Sequence, residues 1–198
     1  MLGVLWGKQE LLGRMKPYRV ETNKDAIPYK YEQGMLNNAA LASLGAALQY
    51  LLWLDGELHP SSGLEKEKRR ARLERVMSAI QGYEAEISRR VLERLGKLKR
   101  TRFRLYGLSD PGQVAQRDPT FAFEIADQKA AETKKFLWER HGLQIADGNH
   151  YAAVFHRHYR RDSVCRASFA HYNSLDEVNA LAEALEDLMS DKKRKEDV

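Results

Sequence analysis

Residues 100–190 predict a small α/β domain, a sheet covered by helices. Two observations carry this reading. The runs at 102–107, 120–126 and 163–169 place apolar residues at every second position, the period of a half-buried strand. Between and after them stand stretches of helical period, with helix stops and starts where chain direction must change. With "LQIAD" (143–147) read as a further short strand, the order is β-β-α-β-α-β-α.

The elements follow in chain order. "GVLWG" (3–7) reads as a short buried strand and "KQELLGRM" as a short helix. Residues 17–38 carry Pro17, Pro28, Gly34 and three asparagines, the punctuation of irregular structure. From Ala39 to Leu54, Leu41, Leu44, Leu48, Leu51 and Leu52 recur at helical spacing, and "DGELHPSSG" (55–63) ends that helix. A long helix over 64–95 follows, with Leu73, Val76, Met77, Ile80, Tyr83, Ile87, Val91 and Leu95 on one stripe. Its opening charge run, "EKEKRRARLER", reads as a solvated face laced by i,i+4 pairs, or as a phosphate-binding patch. Phe103 and Leu105 alternate in the next strand, and Phe121, Phe123 and Ile125 in the one after. Residues 127–141 form a helix closed by Gly142. "GNH" turns into a helical segment through Arg157. Ser174-Leu-Asp-Glu177 is a capping box opening the last helix, and "SDKKRKEDV" reads as a frayed tail.

Bulk properties narrow the function classes. The 198 residues are 43% hydrophobic, so the chain can bury a core. The formal charge is +5, but 33 Lys and Arg are interleaved with 28 Asp and Glu, which gives little support to nucleic acid as a partner. The most apolar segment, 41–54, is too short to span a bilayer. One cysteine cannot form an internal disulfide, and the N-terminus lacks the pattern of a signal peptide. A soluble cytoplasmic protein is expected.

Strand parity sorts the stretch "SVCRASF". Cys165, Ala167 and Phe169 share one face, small and apolar, so the thiol is expected to be buried and un-ionised. Arg166 points the other way. An arginine in the middle of a strand needs an anion, either a neighbouring Asp or Glu or a ligand carboxylate gripped by its planar fork. His156 and His158 lie about 200° apart on a helix and cannot share a metal, so no metal site is expected. Gly34, Asn37 and Asn38 stand just before a helix, which suits either a plain N-cap or a phosphate.

Several of these segments, in this order, resemble the C-terminal portion of class V aminotransferase, pyridoxal-phosphate-dependent (fold type I) enzymes, and most closely the cysteine desulfurase-like branch. "LGVLWGKQELLGRMKPYRV" is similar to the segment after the family's Schiff-base lysine. "YKYEQGMLNNAALASLGAALQYL" resembles its Phe-Glu-x-Gly-Thr-x-Asn stretch and following helix. "YGLSD" and "RDPTFAFEI" resemble the first small-domain strands. "GLQIADGNHYA" resembles the active-site loop, and "CRASFAHYNSLDEVNALAEAL" the family's ending. The resemblance implies an end of the large cofactor domain over residues 1–63, holding a strand, a dimer-interface segment and a buried helix. Residues 64–198 would be the interdomain helix and the small α/β domain.

The resemblance also implies roles. Arg166 would bind the α-carboxylate of an amino-acid substrate. Gly34, Met35 and Asn37 would reach the phosphate of pyridoxal phosphate held by the neighbouring subunit of a homodimer. Asn149, His150 and Tyr151 would sit in the loop over the substrate. Three departures stand out. Met35 replaces the usual threonine, Tyr151 occupies the position of the desulfurase cysteine, and the cofactor lysine has no counterpart, so no catalytic residue is nominated. The expectation is a truncated chain, inactive alone, or a non-catalytic dimerisation module on the same fold.

Overall fold

The computed structural model describes residues 2–32, 34–60 and 68–196. The chain divides into two compact units, Met1–Val76 and Met77–Val198. The domain boundary expected at 63/64 lies outside the described residues.

In the first unit, Val4, Leu5 and Trp6 are exposed and belong to no strand. The apolar run at 3–7 signalled a strand, but among the described residues no other strand of this unit exists to pair with it. Helix α1 spans Gln9–Arg14. Its C-terminal carbonyls are met by buried Lys30, whose Nζ donates to Gly13 O and Met15 O, each at 2.9 Å, a cation placed where the helix dipole favours one. Irregular chain follows, with one 3-10 turn at Tyr29–Tyr31. Helix α2 spans Asn38–Leu58, capped by Asn37, whose Oδ1 accepts from the Ala40 amide at 3.0 Å. It continues four residues past Leu54 because Asp55 does not terminate it. Asp55 is fully buried and accepts from Arg72 and Arg75 of helix α3, Arg69–Leu95. The start expected for α3, residues 64–67, lies outside the described residues. The solvated face expected of the charge run is present in its described part, where Arg69 and Arg70 are exposed and Arg70 pairs with Glu74 at 2.7 Å (i,i+4), while the half-buried Arg72 and Arg75 turn instead to the buried Asp55. Met77, expected on the apolar stripe of this helix, is half exposed.

The second unit has the expected element order. Strands β1 (Phe103–Leu105), β2 (Thr120–Ile125), β3 (Ala146–Gly148) and β4 (Val164–Ser168) form one sheet in the order β1-β2-β4-β3, antiparallel throughout. Helices α4 (Ala130–His141), α5 (Ala153–Tyr159) and α6 (Leu175–Glu196) complete it. One sheet face is the core side. Phe103, Phe121, Phe123, Ile125, Cys165 and Ala167 pack there with Ile87, Val91 and Leu95 of α3, Leu137 of α4 and Val178, Leu181 and Leu185 of α6. Apolar burial of this kind contributes roughly 25 cal/mol per Å².

The elements differ from expectation mostly at their ends. Helix α4 begins at Ala130 because Asp127 takes a left-handed φ of 59° in the turn after β2. Strand β3 begins at Ala146, after Gly142 closes α4 with a φ of 65°. The backbone of α6 runs on to Glu196, through most of the stretch expected to fray. Ser174 Oγ accepts from the Glu177 amide at 3.2 Å and Glu177 Oε2 accepts from the Ser174 amide at 2.7 Å, so the capping box is formed. Among the described residues no helix is long and apolar enough to cross a membrane.

Candidate functional site

Side chains alternate along a strand. Phe121, Phe123, Cys165 and Ala167 take the core face, so Arg104, Ala122, Glu124, Ala146, Val164, Arg166 and Ser168 share the opposite face. Arg166 stands at the centre of that face. Its partners across the two ladders are Ala122 on β2 and Ala146 on β3, both small. Arg166 forms no ion pair with a described residue, and its Nε is buried without a hydrogen-bond partner. Of the two readings open for this arginine, an internal ion pair is not what the structure contains. A buried donor left unmatched is costly, about 1–3 kcal/mol, and marks a place where an acceptor fits.

The contrast lies on the same face. Arg161 does find a carboxylate. Its Nε and Nη2 donate to the two oxygens of Glu124 at 2.7 and 3.1 Å, a bidentate pair that holds the Glu124 carboxyl below its usual range. Arg104 stacks over Tyr106 with 4.9 Å to the ring centroid. Burial, with the Glu124 carboxylate second, pushes the Tyr106 phenol up. Phe155 and Tyr159 of α5 pack against Tyr106 at 5.0 and 4.8 Å between centroids. None of these partners was legible in the sequence. The even-numbered positions of β1 and β2 were the available signal.

The loop after β3 is tightly built. His150 and Tyr151 are consecutive non-glycine residues in the left-handed region, with φ of 50° and 56°. Asn149 holds the turn from both ends. Its Oδ1 accepts from the Tyr151 amide at 3.1 Å, and its carbonyl from the Ala152 amide at 2.8 Å. His150 Nε2 lies 3.0 Å from the Val164 carbonyl. A carbonyl only accepts, so Nε2 carries the proton and donates. The loop is thereby tied to β4 two residues before Arg166, while Tyr151 itself is fully exposed. The structure thus places Arg166 on β4 and residues 149–151 in the loop that follows its neighbour β3.

Cys165 is on the other face. It is buried, its Sγ donates to the Ala130 carbonyl at 3.5 Å, and burial pushes its thiol up to about 12. His156 is buried in α5 with Nδ1 2.7 Å from the Arg161 carbonyl.

Gly34, Met35 and Asn37 belong to the first unit. Gly34 has a φ of 74°, and a Cβ built there would meet nothing within 4 Å, so the glycine is needed for the backbone conformation. Met35 is almost wholly exposed and brings no hydroxyl. The Asn37 Oδ1 is committed to the helix cap. What remains for an anion is open backbone leading into the start of α2. Arg166 thus keeps a buried donor suited to a carboxylate, whereas Gly34 and Met35 bring no side-chain donor to a phosphate.

Comparison with known proteins agrees with the fold. The family model of class-V aminotransferases matches residues 2–181. A cysteine desulfurase of Serratia proteamaculans (strain 568) is 30% identical over 197 residues, covering 93% of this chain and 41% of that protein. The crystal structure of the cysteine desulfurase CsdA (S-sulfonic acid) from Escherichia coli has the same fold, with a TM-score of 0.65 at 21% identity, again over 93% of this chain and 41% of that one. The apo cysteine desulfurase from Thermococcus onnurineus NA1 aligns with a TM-score of 0.52 at 23% identity, over 61% of this chain and 28% of that one. The chain spans about two fifths of the length of the curated relatives it matches. With nine-tenths of its residues inside the family match, the chain belongs to the class-V aminotransferase family and is similar to its cysteine desulfurases.

Proposed function

We propose that this chain supplies the substrate-carboxylate arginine and a phosphate-facing backbone segment to a pyridoxal-phosphate-dependent site that acts on an amino acid, in a soluble, cytoplasmic homodimer. The observation that carries the reading is Arg166: mid-strand, flanked by alanines, with a buried Nε that no described side chain satisfies. Arg166 would hold the α-carboxylate through charge-assisted hydrogen bonds contributing roughly 1.5–3 kcal/mol each. The backbone at Gly34 and Met35, with Asn37 behind it, would face the cofactor phosphate of the neighbouring subunit. Asn149 and His150 would keep their loop beside the bound substrate and limit water there. Bound pyridoxal phosphate supplies the electron sink for breaking a bond at the substrate α-carbon.

Two residues set limits on the chemistry these 198 residues supply. Tyr151, at the loop position where the desulfurase branch carries its cysteine, is no sulfur acceptor. Cys165 cannot replace it, being buried on the opposite sheet face with its thiol pushed up to about 12. The strand residues of the Arg166 face include no lysine. The 198-residue polypeptide is therefore expected to be inactive by itself. Incubation with pyridoxal phosphate and L-cysteine should release neither sulfide nor pyruvate. A stoichiometric adduct on one lysine, accompanied by turnover, would overturn this. Carboxylate binding is tested separately, by following the Arg166 Nε–H resonance in NMR during titration with glycine. A saturable shift is expected, with accompanying shifts of the Ala122 and Ala146 amides that are lost in Arg166→Lys.

A second reading, a non-catalytic dimerisation module, is favoured by α2. Leu44, Leu48 and Trp53 are 39%, 44% and 57% exposed, while the helix's one fully buried side chain is the charged Asp55. A helix apolar on all sides calls for cover. Light scattering after size exclusion separates the readings. A clean dimer, dissociated by Leu48→Glu and showing no glycine-dependent change at Arg166, favours the module, whereas a dimer that binds glycine at Arg166 favours the first reading.

A further inference from the structure

Residues 89–104 hold eight of the 33 Lys and Arg and only one of the 28 acidic residues, Glu93. Since the whole chain carries +5, everything outside this stretch is net negative. Positive charge is thus dense along the last turns of α3, the turn after it and β1, and Lys97, Lys99 and Arg102 gather at one corner of the second unit.

Three of the eight cations have a partner. Arg94 reaches Glu183 at 3.5 Å, Arg102 Nη1 donates to the Met189 carbonyl, and Arg104 stacks on Tyr106 near Glu124. The other five, Arg89, Arg90, Lys97, Lys99 and Arg100, are exposed and pair with no described carboxylate. Complementing the dipole at the end of α3 accounts for cations in its last turn, because the effect fades beyond that turn. It does not account for Lys99 and Arg100, past the helix, or for Arg89 and Arg90, further up it. The Arg102–Met189 bond fixes α6 beside this turn, and Lys97, Lys99, Arg102 and Met189 line a shallow recess with Glu186.

We infer that this corner is a docking surface for a protein partner with an acidic face. Charge complementarity calls for an anionic partner. Two features favour a polypeptide over a nucleic acid. Within 89–104 and 183–190 no large apolar or aromatic side chain is exposed, so the corner offers no ring on which a base could stack. Four acidic side chains are exposed inside it: Glu183 and Asp187 pair with Arg94 and His141, while Glu93 and Glu186 pair with no described cation. A phosphate backbone, with a charge about every 1.7 Å along a duplex, would run over both. Separate carboxylates on a protein surface can meet the cations and leave the two glutamates to other donors.

The test is fluorescence anisotropy of the 198-residue protein with labelled poly-L-glutamate and, separately, with a labelled RNA duplex. The triple variant Lys97→Gln/Lys99→Gln/Arg100→Gln is compared with Lys8→Gln/Lys16→Gln/Lys129→Gln, which removes the same charge from exposed positions elsewhere. Polyglutamate is expected to bind more tightly than RNA, with the first variant weakening it about tenfold and the second less than about twofold. Equal losses in the two variants, no binding of polyglutamate, or tighter binding of RNA would each overturn the inference.

Discussion

Arg75 grips Asp55 with two nitrogens, Nε to Oδ1 at 2.7 Å and Nη2 to Oδ2 at 2.8 Å. Arg72 Nε adds a third contact to Oδ2 at 3.0 Å, and His59 Nδ1 stands 3.4 Å from Oδ1. The carboxylate is fully buried, and the Arg75 hydrogen bond first, then Arg72, holds it at about 2, below its ordinary 3.8. Removing one partner of a buried pair leaves the others uncompensated. Asp55→Ala is expected to destabilise the first unit by about 3 kcal/mol, read by urea denaturation with Trp53 fluorescence. The folded carboxyl is the stronger acid, so its contribution is complete above about pH 4 and is lost as pH falls through about 2. Asp55→Asn should remove that acid-dependent loss.

Arg166 should behave in the opposite way. It has no described ion-pair partner to leave stranded, and its Nε is an unmatched buried donor. Arg166→Met is expected to leave the melting of the second unit unchanged or raise its stability by up to about 1 kcal/mol, while abolishing glycine binding. Arg161→Met, which strands Glu124, should lower the melting temperature. Calorimetry on the two variants distinguishes the arginines.

Cys165 should be slow to react. With the thiol pushed up to about 12, the folded protein is expected to react with a disulfide reagent near pH 8 at least about a hundredfold more slowly than the unfolded chain. The sign for stability is the reverse of the Asp55 case. The unfolded thiol ionises near 9 and the folded one only near 12, so stability falls as pH rises through that window. Cys165→Ala should abolish this alkaline slope.

The capping box at the start of α6 joins Ser174 and Glu177 reciprocally. Ser174→Ala is expected to cost about 1 kcal/mol in thermal denaturation, and Ser174→Asp much less, because aspartate also caps.

What could be read from the sequence followed burial. Strand parity placed Cys165 inside and Arg166 outside, because one face of β4 is packed by helices and a shift of one residue would expose the whole core set. The α6 start was legible because its cap is local, within four residues. Asp55 was not, since its partners lie 17 and 20 residues further on, across residues whose sequence gives no distance. Val4–Trp6 misled because an apolar run states a need for cover without saying what covers it. Of the candidate site, the strand face of Arg166 was legible from parity, while the loop at 149–151 was singled out only by family resemblance. The alanines flanking Arg166 were not, because they are neighbours through register rather than through sequence.

The sheet order has a consequence for synthesis. Strand β4 lies between β2 and β3, yet it is the last strand to leave the ribosome. Until residue 168 has emerged, β1 and β2 form only a two-strand hairpin, marginal in water, and β3 has no strand to pair with. Closure of the sheet therefore waits on the C-terminal quarter of the chain, a non-local pairing that slows folding. The strand that completes the sheet is also the one that delivers Arg166, so an unfinished chain can display neither.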